Sequence, residues 1–295
     1  MNPNSPFTIH HSPFTIHHSP GKVIFAGAGP GDPDLITVKA IRYLLKAEIV
    51  LTDRLVSEDI LNTYVNKDAE IINVGKQCRR GKSTPQKDIN EMLVEFALQG
   101  KLVIRLKGGD VSIFSNILDE LESLVANGIE YEIIPGITSA SGASAYGGIP
   151  LTARGYANAV RFLTFYKSTV VTDDQWRELA STDDTLVFYM SSETLVYVAD
   201  KLRKNNISEE KLVAVIEQAT TPFQRVNIFN FYKNPEELNS RSFISPSLVI
   251  IGKVVGLHEQ FKWQENISSE EYYFKPIRNS IVVKPGKANN HVSSI

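Results

Sequence analysis

Three short loops, rich in glycine and other small residues, carry the strongest chemical signal in the sequence. They read Gly27-Ala-Gly-Pro-Gly-Asp-Pro33, Lys107-Gly-Gly-Asp110 and Pro135-Gly-Ile-Thr-Ser-Ala140. Glycine permits a positive φ and lets backbone N–H groups approach a ligand closely. Each loop follows a predicted strand, and ligands of open α/β sheets bind beyond the carboxyl ends of the strands. The sequence therefore predicts one cleft in which a small molecule is held largely by backbone groups.

A dinucleotide-binding fingerprint is an alternative interpretation of the first loop, with Asp53 at the end of the second predicted strand as the ribose ligand. The fingerprint G-x-G-x-x-G requires glycine at position 32, where the sequence has Asp32, and Pro30 stiffens the turn. A nicotinamide-dependent oxidoreductase is therefore disfavoured. Tight binding of NAD(P)H would support it.

The remaining reactive side chains exclude several classes of enzyme. Cys78 is the single cysteine, so neither an internal disulfide nor a cysteine-cluster metal site is expected. Four of the six histidines lie in a tandem repeat at residues 5–11 and 12–18, and His291 lies in a polar stretch near the C-terminus, which leaves His258. This inventory argues against a Ser-His-Asp hydrolase and a multi-histidine metal site, so no metal is predicted. Acid–base chemistry must come from Asp, Glu, Lys, Arg or Tyr.

The elements that position these loops alternate between short β-branched runs and amphipathic stretches, which predicts an α/β fold. Predicted strands of the first half are residues 23–26, 48–52, 70–74, 102–106 and 131–134. Helices are predicted to begin at Asp32, with Leu35, Val38, Ile41, Leu44 and Leu45 facing inward, and at Thr84, with Ile89, Met92, Leu93, Phe96 and Ala97 facing inward.

The second half is predicted to contain strands at residues 161–165, 185–190, 212–216, 225–229 and 248–251. A helix containing Val196, Ala199 and Leu202 lies between two of them, and the closeness of the last two strands predicts some antiparallel pairing. We expect a disordered repeat tail at 1–20, an N-terminal lobe at 21–150, a C-terminal lobe at 151–263 and a polar tail at 264–295.

Composition restricts the partners. The 295 residues are 42% hydrophobic and 22% charged, and 31 basic against 33 acidic residues give a formal net charge of −2. This balance argues against nucleic-acid binding through overall charge. No run approaches the roughly 18–20 apolar residues that span a bilayer, and Met1–Gly21 has no secretory pattern. The expectation is a cytoplasmic protein with neither a nucleic acid nor a membrane as partner.

Six motifs in order resemble the tetrapyrrole methyltransferase family, in particular its uroporphyrinogen-III C-methyltransferases. Besides the three glycine-rich segments, the second of them read as Arg105-Leu-Lys-Gly-Gly-Asp110, they are Thr52-Asp-Arg-Leu-Val56, Val74-Gly-Lys76 and Gly148-Ile-Pro-Leu-Thr152. The resemblance covers about residues 22–263. It implies two α/β lobes of the tetrapyrrole methylase type with the active cleft between them, and a homodimer. It also implies two methyl transfers from S-adenosyl-L-methionine, with S-adenosyl-L-homocysteine as product, converting uroporphyrinogen III through precorrin-1 to precorrin-2 in siroheme and cobalamin biosynthesis.

The resemblance also assigns roles to individual positions. Asp53 corresponds to the proposed proton acceptor and Lys76 to the proposed proton donor. The donor-binding positions are Pro30, Gly108, Gly109, Asp110, Ile113, Thr138, Ser139, Met190 and Ala219, the last standing where family members usually have glycine.

The implied substrate carries eight carboxylates, so a basic rim is expected around the cleft. Arginine recognises carboxylates through its bidentate fork. The candidates for substrate binding are Arg54, Arg79, Arg80 and Arg154, and Lys76, Lys82 and Arg105 also lie in or beside the predicted cleft loops.

Several segments depart from the family pattern and leave two alternatives open. Residues 111–116 read Val-Ser-Ile-Phe-Ser-Asn where the family usually has proline and then a segment with glycine and arginine, and the family's Leu-Thr-His-Arg reads Leu-Thr-Ala-Arg at 151–154. The stretch 77–82 lacks the common histidine, and a Thr-Gly-His motif reads Thr-Phe-Tyr at 164–166. The alternatives are a methyltransferase for a later precorrin intermediate, and a catalytically weak paralogue that binds the donor or a tetrapyrrole.

Overall fold

Two five-stranded sheets, one in each half of the chain, organise the fold. The computed structural model describes residues 21–77, 82–166, 170–267 and 271–274. The two α/β lobes expected from the sequence are confirmed. The repeat tail at 1–20 and residues 275–295 lie outside the described residues.

The N-terminal lobe is built on a parallel sheet with the strand order β3-β2-β6-β1-β7. Its strands are β1 (Lys22–Gly27), β2 (Ile49–Thr52), β3 (Glu70–Asn73), β6 (Leu102–Lys107) and β7 (Glu130–Ile134), and a two-stranded ribbon contains β4 (Lys76–Gln77) and β5 (Lys82–Ser83). The central strands β1 and β6 are buried almost throughout. Two apolar clusters explain this burial, because each covers one face of the sheet.

In the described residues four α-helices pack against this sheet: α1 (Val38–Leu44), α2 (Glu58–Tyr64), α3 (Gln86–Leu98) and α4 (Leu118–Ala126). The next helix, α5 (Ser139–Tyr146), packs against the C-terminal sheet through Ala140 and Ala143. The five inward residues predicted for α3 are all buried. The helix predicted to begin at Asp32 starts later, because Asp32 caps only a short 3-10 turn and Thr37 caps α1 by accepting a hydrogen bond from Ala40 N. On its predicted inner face Leu44 is buried, whereas Val38 and Leu45 are exposed.

The C-terminal lobe is built on a mixed sheet with the order β11-β10-β12-β9-β8. Its strands are β8 (Val160–Thr164), β9 (Thr185–Tyr189), β10 (Leu212–Glu217), β11 (Arg225–Asn230) and β12 (Ser247–Gly252), and its helices are α6 (Asp173–Ser181), α7 (Leu195–Lys204), α8 (Pro235–Ser240) and α9 (His258–Phe261). The predicted antiparallel pairing is present, but the last two strands do not pair with each other. Each pairs with β10, which lies between them.

Residues beyond position 263 contact both lobes. The side-chain amide of Asn266 accepts a hydrogen bond from Val226 N at 2.7 Å and donates one to Val226 O at 2.9 Å, along the edge strand β11. The Tyr273 hydroxyl donates to Asp59 in the N-terminal lobe at 2.7 Å, while Tyr273 N donates to Gln218 in the C-terminal lobe at 2.7 Å. This segment therefore ties the two lobes together.

Among the helices of the described residues, none combines the length and the apolar character that a membrane span requires.

Candidate functional site

The loops after β1, β6 and β7 converge on one place, as the sequence predicts. Gly29 and Gly109 exchange two backbone hydrogen bonds, Gly29 N to Gly109 O at 3.1 Å and Gly109 N to Gly29 O at 2.7 Å. Ala28 N donates to Lys107 O at 2.8 Å, which continues the strand pairing into the loops. Gly136 N donates to the Asp110 carboxylate at 2.8 Å and brings the third loop to the same point. The carboxyl ends of three neighbouring strands thus form one floor.

Glycine is required where these loops touch. A Cβ atom on Gly27 would lie 2.6 Å from both Gly109 O and Gly136 N, and one on Gly136 would lie too close to Gly109 O for a real contact. These neighbours are backbone atoms, which cannot rotate away. Gly109 has a φ of +70°, a conformation that residues with a side chain rarely adopt. Close backbone approach therefore explains the glycines that mark the loops in the sequence.

Asp110 joins two of the loops from within. Asp110 is buried, with 7% of the residue exposed. One carboxylate oxygen accepts hydrogen bonds from the backbone N–H and the hydroxyl of Ser112, and the other accepts from Gly136 N. Hydrogen bonds to an ionised group are stronger than neutral ones, so this carboxylate fixes the β6 and β7 loops relative to each other.

The C-terminal lobe supplies the opposite wall through Tyr189, which ends β9. Its hydroxyl lies 2.7 Å from the Thr138 hydroxyl and accepts a hydrogen bond from Ala140 N at 3.3 Å, at the start of α5. Burial raises the pKa of the Tyr189 hydroxyl. The ring of Phe114 lies 5.0 Å from the Tyr189 ring, between centroids. Sequence reasoning missed Tyr189, and its position before Met190 at a strand end is the signal that could have found it.

Five non-glycine residues of the loops around this wall have a positive φ: Phe114 at 51°, Asn116 at 52°, Met190 at 55°, Gln218 at 47° and Thr220 at 66°. Such residues cost free energy and concentrate at functional sites. The Met190 side chain is half exposed, and its sulfur accepts a hydrogen bond from the Tyr166 hydroxyl at 3.1 Å. The strained positions thus coincide with the loops that border the cleft.

The first glycine-rich loop packs against both α5 and the C-terminal lobe. Asp32 N donates to the Thr220 hydroxyl at 3.1 Å, and the Tyr146 hydroxyl donates to the Asp32 carboxylate at 2.6 Å. Burial, followed by the Asp32 carboxylate, raises the pKa of Tyr146 to about 12. Pro30 is buried, and a Cβ atom on Gly142 of α5 would lie 2.6 Å from its ring.

The predicted donor-binding residues are distributed along the surfaces that meet here. Ile113 packs against the same apolar cluster of the C-terminal lobe that contains the buried Ala219. Ser139 N lies 3.8 Å from the position of a Cβ atom on Gly109. The β6 loop, the start of α5, the end of β9 and the loop after β10 therefore lie close together.

Three charged side chains lie around Asp53, which directly follows β2. Arg105 Nη2 lies 2.8 Å from Asp53 Oδ1, and Arg105 Nε lies 3.1 Å from Glu120 Oε1. Lys107 Nζ lies 3.6 Å from Glu120 Oε1 and 3.9 Å from Asp53 Oδ2. We call Asp53, Arg105, Lys107 and Glu120 the ion cluster.

The ion cluster corrects the expectation that Arg105 belongs to the basic rim. Its side chain is 2% exposed and its guanidinium is occupied by two carboxylates, so it does not reach the surface of the cleft. Burial lowers the pKa of Arg105, but the charges of Asp53 and Glu120 outweigh it and the net shift is upward. Burial, followed by the neighbouring Arg105, lowers the pKa of Lys107.

Of the other basic residues predicted to bind substrate, the structure describes Arg54 and Arg154. Arg154 is exposed on the segment after Ile149, and Arg54 is half-buried directly after Asp53. Arg79 and Arg80 lie outside the described residues, as do the side chains of Lys76 and Lys82, so their roles stay predictions. Within the described part of the chain, no group of three or more His, Cys, Asp or Glu side chains could hold a metal ion.

The sequence of this chain is similar to those of known tetrapyrrole methylases. The sequence pattern of the family Tetrapyrrole (Corrin/Porphyrin) Methylases matches residues 22–233. A siroheme synthase of Vesicomyosocius okutanii subsp. Calyptogena okutanii (strain HA) is 43% identical over 243 residues, 82% of this chain and 52% of that protein. A siroheme synthase of Pseudomonas fluorescens (strain SBW25) is 44% identical over 250 residues, 85% of this chain and 53% of that protein. The chain thus spans about half the length of these relatives.

Solved structures show the same fold. A uroporphyrin-III-C-methyltransferase from Thermus thermophilus has a TM-score of 0.68 and 33% identity, covering 83% of this chain and 98% of that one. Another structure of a uroporphyrin-III C-methyltransferase from that organism, in complex with S-adenosylhomocysteine, has a TM-score of 0.67 and 32% identity, covering 80% and 100%. A cobalt precorrin-4 methyltransferase has a TM-score of 0.69 and 26% identity, covering 79% and 95%.

Proposed function

The chain belongs to the tetrapyrrole (corrin/porphyrin) methylase family, and from this membership we propose that it methylates uroporphyrinogen III with S-adenosylmethionine as donor. Two successive transfers would convert this substrate through precorrin-1 to precorrin-2, for siroheme or cobalamin synthesis. The observation that carries the proposal is the floor of glycine-rich loops in which Gly29 pairs with Gly109 and Asp110 holds Gly136. The likeness to uroporphyrin-III C-methyltransferases over nearly their whole length supports it.

The residues present fit a donor held by small loops and a helix terminus. At Gly109 a Cβ atom would project toward Ser139 N, into the space between the β6 loop and α5. Thr138, the N-cap residue of α5, directs its hydroxyl to Tyr189 and makes no cap hydrogen bond of its own, and the Tyr189 hydroxyl accepts the Ala140 N–H of the first turn. The N-terminal end of a helix carries partial positive charge, which suits the carboxylate of an amino-acid moiety.

When bound, S-adenosylmethionine supplies an electrophilic methyl group and leaves as neutral S-adenosylhomocysteine. The residues proposed to hold it are Pro30, Gly108, Gly109, Asp110, Ile113, Thr138, Ser139, Met190 and Ala219. Fixed placement of two reactants contributes a large share of such a rate. Two lobes that meet through Tyr189 and Thr220 provide that placement.

Each methylation leaves the macrocycle with one proton to lose, and this chain must accept it. Asp53 is the proposed acceptor: it lies at the carboxyl end of β2, opposite the loop that begins at Lys107, with 26% of its side chain exposed. Lys76, in the neighbouring ribbon strand β4, is the proposed proton donor. In this scheme Asp53 takes up the protons that the macrocycle releases and passes them to solvent, and Lys76 recovers from solvent any proton that it donates, so one net proton leaves per methyl group.

The eight carboxylates of the substrate require cations at the rim. Arg54 and Arg154 are the proposed contacts among the described side chains, together with Arg79 and Arg80. Guanidinium groups bind carboxylates in bidentate geometry. We extend the proposal to a cytoplasmic homodimer, on the strength of the family resemblance.

A methyltransferase for a later corrin intermediate is the second candidate function. Two observations favour it: the fold likeness to a cobalt precorrin-4 methyltransferase, and the segment at 111–116, where Phe114 and Asn116 both have a positive φ. A protein that binds the donor without turnover would differ from both in releasing no S-adenosylhomocysteine.

Anaerobic incubation of the protein with S-adenosylmethionine and freshly prepared uroporphyrinogen III, followed by mass analysis, tests the proposal. We expect two added methyl groups, and their loss in Asp110→Ala. Methylation of a later precorrin in place of uroporphyrinogen III would establish the second candidate. Bound S-adenosylhomocysteine without methylation of any tetrapyrrole offered would refute both.

A further inference from the structure

Three buried members of the ion cluster lie directly behind Asp53. We propose that Arg105, Lys107 and Glu120 are positioning residues that hold the Asp53 carboxylate toward the cleft and balance the charge around it. This inference rests on the proposed function, in which Asp53 accepts the proton that the methylated macrocycle releases.

The distances give each oxygen of Asp53 its own cation. Arg105 Nη2 lies 2.8 Å from Oδ1, and Lys107 Nζ lies 3.9 Å from Oδ2. Glu120 Oε1 contacts both cations from the other side, at 3.1 Å and 3.6 Å. Arg105 Nη1 also lies 3.4 Å from two backbone carbonyl oxygens, which fixes the plane of the guanidinium. The carboxylate is therefore hydrogen-bonded at Oδ1 by Arg105, and its Oδ2 faces the Lys107 ammonium at ion-pair distance.

Burial separates the roles of the four residues. The side chains of Arg105, Lys107 and Glu120 are 2%, 7% and 1% exposed, whereas that of Asp53 is 26% exposed. A macrocycle in the cleft can therefore reach Asp53 but not the three groups behind it. Glu120 Oε2 is buried and has no hydrogen-bond partner among the described residues, so its charge acts on the cluster without relief from solvent.

The balance of charge makes this arrangement sensitive to single substitutions. The charged groups that face Asp53 are Arg105 and Lys107 on β6, with Glu120 on α4 behind them and Arg54 next to it in the chain. A cation close to a carboxylate favours its ionised form, and a second carboxylate opposes it. Loss of the Lys107 charge therefore makes Asp53 easier to protonate. Loss of the Glu120 charge leaves both cations to Asp53 and makes protonation harder.

Carboxyl-carbon NMR titration of the full chain, with the Asp53 signal assigned by its absence in Asp53→Asn, measures this directly. In Lys107→Met the midpoint is expected to rise, because a neighbouring cation is lost, and in Glu120→Gln it is expected to fall, because a competing carboxylate is lost. Lys87→Met and Glu91→Gln, in an exposed pair on α3, repeat the same changes of side chain away from the cluster and should leave the midpoint unmoved. Lys107→Arg restores the charge and should return the midpoint to that of the unaltered protein.

Turnover gives the second measurement. The acidic limb of the kcat/KM profile against pH should move in the same directions as the NMR midpoints, since that limb reports the base of the free enzyme. A merely structural role would lower activity in both variants at every pH without moving the limb in opposite directions.

Two results would overturn the inference: midpoints that shift together, or no shift in variants that still melt cooperatively and bind S-adenosylhomocysteine. Failure of the proposed function is distinguishable, because the NMR midpoints are obtained without turnover. Opposite shifts in a protein that methylates no tetrapyrrole would refute the function and leave the electrostatic role standing.

Discussion

Replacement of Tyr189 by phenylalanine tests whether one hydroxyl links the two lobes at the proposed donor site. The substitution keeps the ring and its contact with Phe114 and removes the oxygen. That oxygen lies 2.7 Å from the Thr138 hydroxyl and accepts the Ala140 N–H at 3.3 Å. Ala140 is fully buried, so water cannot replace the lost acceptor of its N–H.

The expected loss has two parts. A neutral hydrogen bond between the two hydroxyls contributes about 1 kcal/mol net, and a buried N–H left without a partner costs at least about 1 kcal/mol. Tyr189→Phe should therefore lower the free energy of unfolding by about 2 kcal/mol, which corresponds to a fall of about 4–8 °C in melting temperature. Thr138→Val removes the first part alone and should cost about 1 kcal/mol.

A double-mutant cycle separates the pair from its surroundings. The double variant should lose about 2 kcal/mol rather than the sum of the single losses, because the bond between the hydroxyls is counted once; the coupling is then about 1 kcal/mol. Calorimetric titration with S-adenosylhomocysteine should show about tenfold weaker binding for Tyr189→Phe, equivalent to about 1.4 kcal/mol. Tyr232→Phe, which removes a 2.6 Å hydrogen bond to Ile207 O, is the control and should leave that affinity unchanged.

A coupling near zero, together with unchanged affinity for S-adenosylhomocysteine, would refute this reasoning. It would mean that the lobes are held by other contacts and that the start of α5 does not meet the donor. Weaker binding in Tyr232→Phe as well would show that a general loss of stability, rather than the link at Tyr189, governs affinity.

Three further outcomes are expected. Gly27→Ala places a methyl group 2.6 Å from both Gly136 N and Gly109 O. The substitution should destabilise the protein by about 1–3 kcal/mol and abolish binding of S-adenosylhomocysteine. Binding at the normal affinity in a calorimetric titration would contradict this expectation. Asp110→Asn cannot accept at both oxygens and should cost about 1–3 kcal/mol in urea unfolding, with the Gly136 amide exchanging faster with deuterium. Lys39, with two further donors, lowers the pKa of Glu132 to about 2. Because that pKa is depressed, the stabilisation is present above about pH 4.5 and is lost as the pH falls toward 2, so the melting temperatures of the unaltered protein and Glu132→Gln should differ at pH 6 and converge near pH 2.

The floor of the cleft could be predicted from sequence because it depends on local chemistry. Glycines after successive strands mark close backbone approach, and parallel strands bring their carboxyl ends to one edge, so the loops at Gly27, Gly109 and Gly136 had to meet. The inward face of α3 could be predicted for the same reason, since a period of 3.6 residues determines which side chains share a face.

The expectation that Arg105 belongs to the basic rim of the cleft was wrong, because its side chain is buried between two carboxylates. The sequence shows a basic residue beside a cleft loop, but not that its strand is buried on both faces or that Glu120 lies opposite. Glu120 precedes the buried Leu124 by one helical turn, so an acidic residue on the inner face of α4 was the available signal. The Tyr189 contact could not be predicted, because it depends on how the lobes are placed relative to each other.

The side-chain amide of Asn266 blocks part of the edge strand β11, where the C-terminal sheet could otherwise pair with another chain. An edge strand exposes unpaired N–H and C=O groups that another chain can pair with. Val226 of β11 is paired with Ile216 on one side, and on its other side its N–H and C=O are both occupied by Asn266. One side chain thus replaces a neighbouring strand at this position. Asn266→Ala would leave a template open on β11, and its consequence would be concentration-dependent aggregation rather than loss of the fold.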